Sequence, residues 1–233
     1  MPKFSSRPMR FTLRDGGQVL VRPVEPQDKE HLIDGLARLS ERSRYRRFLA
    51  PVQQLSDEQL RYLTEIDRVD HMAWAAVDAE DLELGLGIAR YVRVEGEPSA
   101  AEAAVTVVDS HHGRGVGLLL LSALSRSAVA NGITTFRGYV LEDNEPMTRM
   151  LRDLGATTQR EEGGLLRVEV PLPTDPDQLA DTPISRVFKA VAREMVPPFA
   201  VRFLHADFFS SVLRGFARRH EHRDSSKAEK TRT

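Results

Sequence analysis

Residues 102–121 read EAAVTVVDSHHGRGVGLLLL, a β-branched apolar run that passes through a glycine-rich turn straight into a strongly apolar helical segment. Val, Thr and Ala up to Val108 favour an extended strand. Gly113, Gly115 and Gly117 then let backbone N–H groups approach a ligand with no Cβ in the way. A helix starting near Gly115 adds unpaired amide donors and the positive end of its dipole. Such a turn suits a pyrophosphate. Its spacing separates it from two commoner phosphate loops. Asp109 to His112 intervene between the strand and the first glycine, the third glycine is one place early for G-x-G-x-x-G, and the P-loop lysine is absent. Dinucleotide and nucleoside-triphosphate readings therefore fall.

Working outward, Phe11–Leu13 and Val19–Val24 flank the turn-prone Asp15-Gly16-Gly17 and predict an N-terminal hairpin. Asp28 is placed to cap a helix carrying Leu32, Ile33, Leu36 and Leu39. Ser56 with Gln59 forms a capping-box pattern for a second helix carrying Leu60, Leu63 and Ile66. Met72–Val77 and Leu84–Val94, separated by the acidic turn Asp78–Asp81, predict an antiparallel pair, and Ala103–Val108 the next strand. The helix from Gly115 puts Val116, Leu119, Leu120, Ala123 and Leu124 on one side and stops at Asn131-Gly132. Phe136–Leu141 predicts a strand, Asn144–Leu154 a helix stopped by Gly155, and Leu165–Val170 a last strand. The order is mixed α/β rather than a doubly wound repeat.

The 233 residues are 41% hydrophobic and 29% charged, enough for one sizeable core. No apolar run reaches the length of a membrane span, and the N-terminus lacks the apolar core of a secretory signal, so a cytoplasmic protein is expected. The absence of cysteine excludes a disulfide framework and a thiolate nucleophile. The net charge of -1 is unevenly spread, because residues from 184 onward hold 11 basic against 5 acidic side chains. The Pro- and Asp-rich stretch 171–183 marks a linker between these parts. We expect a domain over 1–170, this linker, a Phe-rich amphipathic helical extension over 184–217 and a disordered polar tail over 218–233. Six of the ten phenylalanines lie in the extension, so something must cover it. Docking on the domain or on a second copy in a homodimer is favoured over a membrane-surface anchor.

His112-Gly113-Arg114-Gly115-Val116-Gly117 resembles the Q/R-x-x-G-x-G/A signature of the GNAT superfamily of acyl-CoA-dependent N-acetyltransferases, with His in the first place. Asn144, in NEPMTRMLRDLGA, sits where the family has N-x-x-(A/S/M)-x-x-L-x-x-x-L-G-F. The resemblance covers residues 19–170 and implies the GNAT fold, a central mixed, mostly antiparallel sheet flanked by helices. It further implies that the loop amides of His112, Gly113, Arg114, Gly115, Val116 and Gly117 hold the pyrophosphate of acetyl-CoA. Val105, Val107 and Val108 would border the pantetheine arm through a splay in the sheet, and Asn144 would contact the cofactor.

The resemblance narrows further. SERSRYRRF over 40–48, TEID over 64–67, GIARY over 87–91 and AEAAV over 101–105 resemble the catalytic domain of Pat-type protein lysine acetyltransferases. No match to the companion nucleotide-binding domains of that group accompanies these segments, so different regulation is expected. The resemblance makes Glu102 the general base for a primary amine, protein lysine first and a small amine second, with a non-catalytic acyl-CoA sensor as the rival. An alkyl ammonium must lose a proton before it can attack a thioester, which Glu102 would accept while a strand amide such as that of Val107 stabilises the oxyanion. The family's tyrosine acid, seven residues after the Asn, is replaced by Leu151.

Other features carry plainer readings. His111 and His112 are adjacent and have no third ligand at suitable spacing, so no metal site is expected. Asp67, Asp70 and His71 either line an amine-attracting cleft or, more simply, cap a turn. Arg42, Arg44, Arg46 and Arg47 are expected to face water on a helix that turns Tyr45, Phe48 and Leu49 inward, so no nucleic acid partner is expected.

Overall fold

The computed structural model of the chain describes residues 7–13, 15–172 and Arg186. Thirteen elements follow one another: β1 (Met9–Thr12), β2 (Gln18–Pro23), α1 (Lys29–Ala37), α2 (Glu41–Phe48), α3 (Asp57–Thr64), β3 (His71–Asp78), β4 (Gly85–Val94), β5 (Glu97–Val107), α4 (Val116–Ala130), β6 (Thr135–Leu141), α5 (Glu145–Asp153), β7 (Thr157–Glu161) and β8 (Leu165–Pro171). The eight strands form one sheet in the order β1-β2-β3-β4-β5-β6-β8-β7. Every pairing is antiparallel except β5 with β6. The expected mixed, mostly antiparallel architecture is therefore present.

Two elements lie outside the periodic pattern. α2 is an arginine-rich octapeptide with no apolar stripe, held at its start by Ser40, whose hydroxyl accepts the Ser43 amide. β7 reads TTQRE and is exposed throughout, so no alternation betrays it; it is a polar edge strand paired only with β8. Pairing also extends expected strands. β5 begins at Glu97, and β8 takes in Pro171 opposite Thr135. Leu172 is buried and donates its amide to the Thr134 carbonyl at 2.7 Å. The remainder of the expected linker, the helical extension apart from Arg186, and the polar tail lie outside the described residues. No described helix is long and apolar enough to cross a membrane.

α4 packs on one face of the sheet. Its residues are buried continuously from Val116 to Ser125, so the helix is enclosed on all sides, not on the single apolar side that its spacing suggested. Trp74 on β3 donates its indole N–H to Ser127 Oγ at 2.8 Å, which satisfies a buried polar group at the sheet–helix contact. The opposite face carries α1 to α3. There Arg38, just after α1, donates to the Gly85 carbonyl at the start of β4.

At Gly87 the β4 and β5 backbones approach so closely that a Cβ would stand 2.7 Å from the Thr106 carbonyl oxygen and 3.1 Å from Leu120 Cδ1. Gly87→Ala should therefore lower stability by about 1–3 kcal/mol through overpacking, measured by urea denaturation. An unchanged midpoint would show that the strands can part there without cost.

Candidate active site

β5 and β6 share only three rungs, Ala100 with Thr135, Ala101 with Phe136 and Glu102 with Arg137. Past Glu102, β5 continues to Val107 paired with β4 alone, and β6 continues to Leu141 paired with β8 alone. The sheet thus splits into a fork between the two strands. The Val108 amide donates to Leu86 of β4 at 3.0 Å. Because N–H directions alternate along an antiparallel ladder, the amides of Ala103, Val105 and Val107 point away from β4, into the fork. This places the polar backbone edge expected for the pantetheine arm at Val105 and Val107. Val108 differs, because its amide serves β4 and its carbonyl accepts the His111 amide at 2.9 Å. Its contribution is limited to its buried side chain.

The glycine bend closes the fork at its wide end. Gly113 and Gly115 have φ of 73° and 94°, left-handed values that favour glycine. None of the backbone hydrogen bonds formed by the described residues uses the amides of Gly113, Arg114 or Gly115. Val116 and Gly117 stand in the first turn of α4, where amides have no intrahelical acceptor. Five consecutive donors at the positive end of a buried helix suit a diphosphate. His112 and Arg114 contribute differently from the other members of the bend. The His112 ring Nε2 lies 2.8 Å from the Val107 carbonyl, tying the bend to the tip of β5. The Arg114 guanidinium turns back onto Asp15 at 2.6 Å, and this contact holds the Asp15 pKa below its ordinary value.

Asn144 is buried and caps α5, accepting the Met147 amide at 3.4 Å. Leu151, at the family's tyrosine position, is packed in the core. Glu102 is half-buried at the last shared rung, on the same sheet face as its neighbours Val92 and Arg137. Its carboxylate makes no hydrogen bond or ion pair among the described residues. Arg137 does not neutralise it, because its guanidinium is engaged by Glu97 at 2.7 Å and Glu169 at 2.9 Å. An acidic side chain beside a row of inward-facing amides can accept a proton while those amides receive developing negative charge.

Asp109 holds the roof of the site and gave no local sequence signal. It accepts the Ser40 amide at 2.9 Å, the Ser40 hydroxyl at 2.8 Å and the Ser43 hydroxyl at 2.9 Å. Burial raises its pKa, but the bonds from Ser40 and Ser43 outweigh burial and hold it below the ordinary value. On the other side of the fork, Arg42 and Arg46 reach Asp143 at 3.3 and 3.5 Å. α2 thus spans the two loops that border the fork.

The arginine expectation is overturned in part. Tyr45 is 51% exposed, whereas Arg47 is 8% exposed and buried together with Ser43, one turn away on α2. The inner face of α2 is polar because it meets Asp109 and a pocket rather than the apolar core. Asp67 caps a turn, its Oδ1 accepting the amides of Val69, Asp70 and His71 at 2.7–2.9 Å. Asp70 pairs with Arg93. Among the described residues, no group of three His, Asp or Glu side chains is placed to hold a metal.

Residues 18–157 match the acetyltransferase (GNAT) domain. The chain belongs to the GNAT acetyltransferase family. Acetyl-CoA is the acyl donor of that family, and the fork and bend fit it. The acetyltransferase Pat of Mycolicibacterium smegmatis is 36% identical over 166 residues, 71% of this chain and 49% of that protein. An acetyltransferase of Pseudomonas aeruginosa is 34% identical over 151 residues, 64% of this chain and 81% of that protein. The crystal structure of the GNAT domain of S. lividans PAT superimposes with a TM-score of 0.64 at 33% identity, covering 71% of this chain and 97% of that one. The chain spans about half the length of the M. smegmatis relative.

His71 is 9% exposed, with Nε2 3.0 Å from Arg90 Nη1. Burial, and then the Arg90 charge, lower its pKa from 6.5 to about 3, against the opposing pull of Asp67. The unfolded chain takes up this proton first, so the neutral ring favours the fold fully above pH 6.5 and progressively less as pH falls toward 3. Urea titrations should show wild-type stability falling by about 1.4 kcal/mol per pH unit more than that of His71→Gln between pH 6 and 4. Parallel profiles would place the ring in water.

Proposed function

We propose that the protein is an N-acetyltransferase that moves an acetyl group from acetyl-CoA to a primary amine, protein lysine first, with Glu102 as general base. The observation that carries this reading is the position of Glu102 at the last rung of the fork, one residue before the amides that line it. Acetyl-CoA supplies a thioester carbonyl and a thiolate leaving group. The bend amides of Gly113, Arg114, Gly115, Val116 and Gly117 bind its diphosphate, and Val105 and Val107 align the extended arm. His112 fixes the bend to β5, and Asn144 shapes the neighbouring loop by capping α5. Glu102 takes the proton from the acceptor ammonium, directly or through water, so that a lone pair becomes available. The Val107 amide offers a donor for the negative charge that develops on the thioester oxygen. With Leu151 in place of a tyrosine acid, the low basicity of a thiolate lets it leave without one. Identity of 33–36% to two proteins named Pat supports protein lysine ahead of a small amine as acceptor.

Incubation with acetyl-CoA should release thiol with a lysine-bearing protein acceptor, and little with polyamines or free amino acids. Glu102→Gln should bind CoA within about twofold of wild type while its kcat falls by roughly 10²–10⁴, the span of general acid–base catalysis. Full turnover in that variant would remove the assigned base. Tight CoA binding with no turnover on any amine would favour the sensor reading.

A further inference from the structure

A pocket lies between the sheet and α1 to α3, on the face that carries Glu102. Its interior volume is about 90 Å³, and it opens to solvent at its mouth. Its walls are mainly apolar, with Leu36, Leu39 and Phe48 from the helical side, yet Arg47, Arg90 and Thr106 also line it. Both arginines fall within the SERSRYRRF and GIARY segments, and neither is used in the chemistry derived above.

Arg90 is 1% exposed, and its described contacts include no carboxylate. Nη1 meets His71 Nε2 at 3.0 Å and Nη2 donates to the Leu63 carbonyl at 2.9 Å, while Nε is buried without a partner among the described residues. His71 is neutral and provides no countercharge. Arg47 stands close enough that, after burial, the Arg90 charge is what lowers its pKa. Among the described lining residues the carboxylate is that of Asp28, which is committed to Arg22 at 2.6 Å, His31 at 2.9 Å and the Glu25 amide at 2.8 Å. Thr106 Oγ1 is likewise buried without a partner. A buried cation with no described countercharge is costly, and an anion entering beside it would remove that cost. The apolar walls require that this anion carry an apolar body.

We propose that this pocket binds a small organic carboxylate with an apolar body, the carboxylate on Arg90 beside the Thr106 hydroxyl and the body against Leu36, Leu39 and Phe48. Thr106 sits between Val105 and Val107, so the bound acid lies alongside the strand that lines the fork. Two sources share this chemistry. One is an acceptor that carries both amine and carboxylate; the other is an effector acid that does not react.

Binding is measured on the full chain without acetyl-CoA, so the result does not depend on Glu102 acting as a base. Calorimetric titration with phenylacetate and hexanoate should give affinities at least tenfold above those of phenylacetamide and hexanamide. Arg90→Met should erase that preference. Thr106→Val, which keeps the volume, should weaken carboxylate binding severalfold without lowering the melting temperature of the free protein, and it serves if Arg90→Met does not fold. Equal affinity for acids and amides, no binding of either at millimolar concentration, or binding of inorganic phosphate alone would overturn the proposal. Acetyl-CoA with phenylalanine then separates the sources. An acceptor forms the N–acetyl bond as the C–S bond breaks and free thiol appears with the lost proton in solution, whereas an effector binds and yields no acetylated product.

Discussion

The rung that joins Glu102 to Arg137 is the last that β5 and β6 share, and the geometry of the site follows from it. Beyond this rung each strand satisfies its outer edge with a different neighbour, β4 in one case and β8 in the other. Their inner edges face one another across a gap too wide for hydrogen bonds. Backbone amides without partners are costly in a dry interior, so a fold keeps such an edge only where water or an extended ligand can meet it. The enclosed helix α4 anchors the glycine bend at the wide end of that gap, and its first-turn amides continue the row of donors begun on β5.

α2 bridges the two loops that border this fork. Asp109 grips the start of the helix through three hydrogen bonds, and Asp143 receives Arg42 and Arg46 from the same helix. The first attachment gathers three hydrogen bonds on one carboxylate, while the second pairs two arginines with an Asp143 side chain that is largely exposed, where an ion pair contributes little. Its inner face carries Arg47 toward a pocket that also receives Arg90 from β4, so two arginines from distant segments meet there. The neutral state of His71 belongs to the same arrangement, because a protonated ring would add a third charge against Arg90.

The departures from expectation share one cause. Local pattern reports burial against the bulk of the core, and it fails where a segment meets polar partners. α2 carries arginines on the face that points inward because that face meets Asp109 and a pocket, so Tyr45 is displaced outward. β7 has no apolar alternation because nothing covers either side of it, and only pairing with β8 makes it a strand. Val108 reads as one more strand residue in sequence, yet its amide and carbonyl are taken by Leu86 and His111. The Asp67 cluster behaves as local chemistry suggests, since an aspartate two residues ahead of several free amides needs only a turn to cap them.

From the chain alone came the order of most strands and helices, the glycine bend at 113–117 and the placement of Asn144 at a helix start. Each of these is written in contiguous residues, where spacing, glycine freedom and capping act over a single turn or strand, whereas Glu102 stood out only through the family resemblance of its segment. The fork itself, the orientation of the Val105 and Val107 amides, the grip of Asp109 on residues 69 positions away and the meeting of Arg47 with Arg90 came only from the folded chain. These depend on which strand pairs with which and where the pairing stops, and sheet register is settled by contacts between segments far apart in sequence.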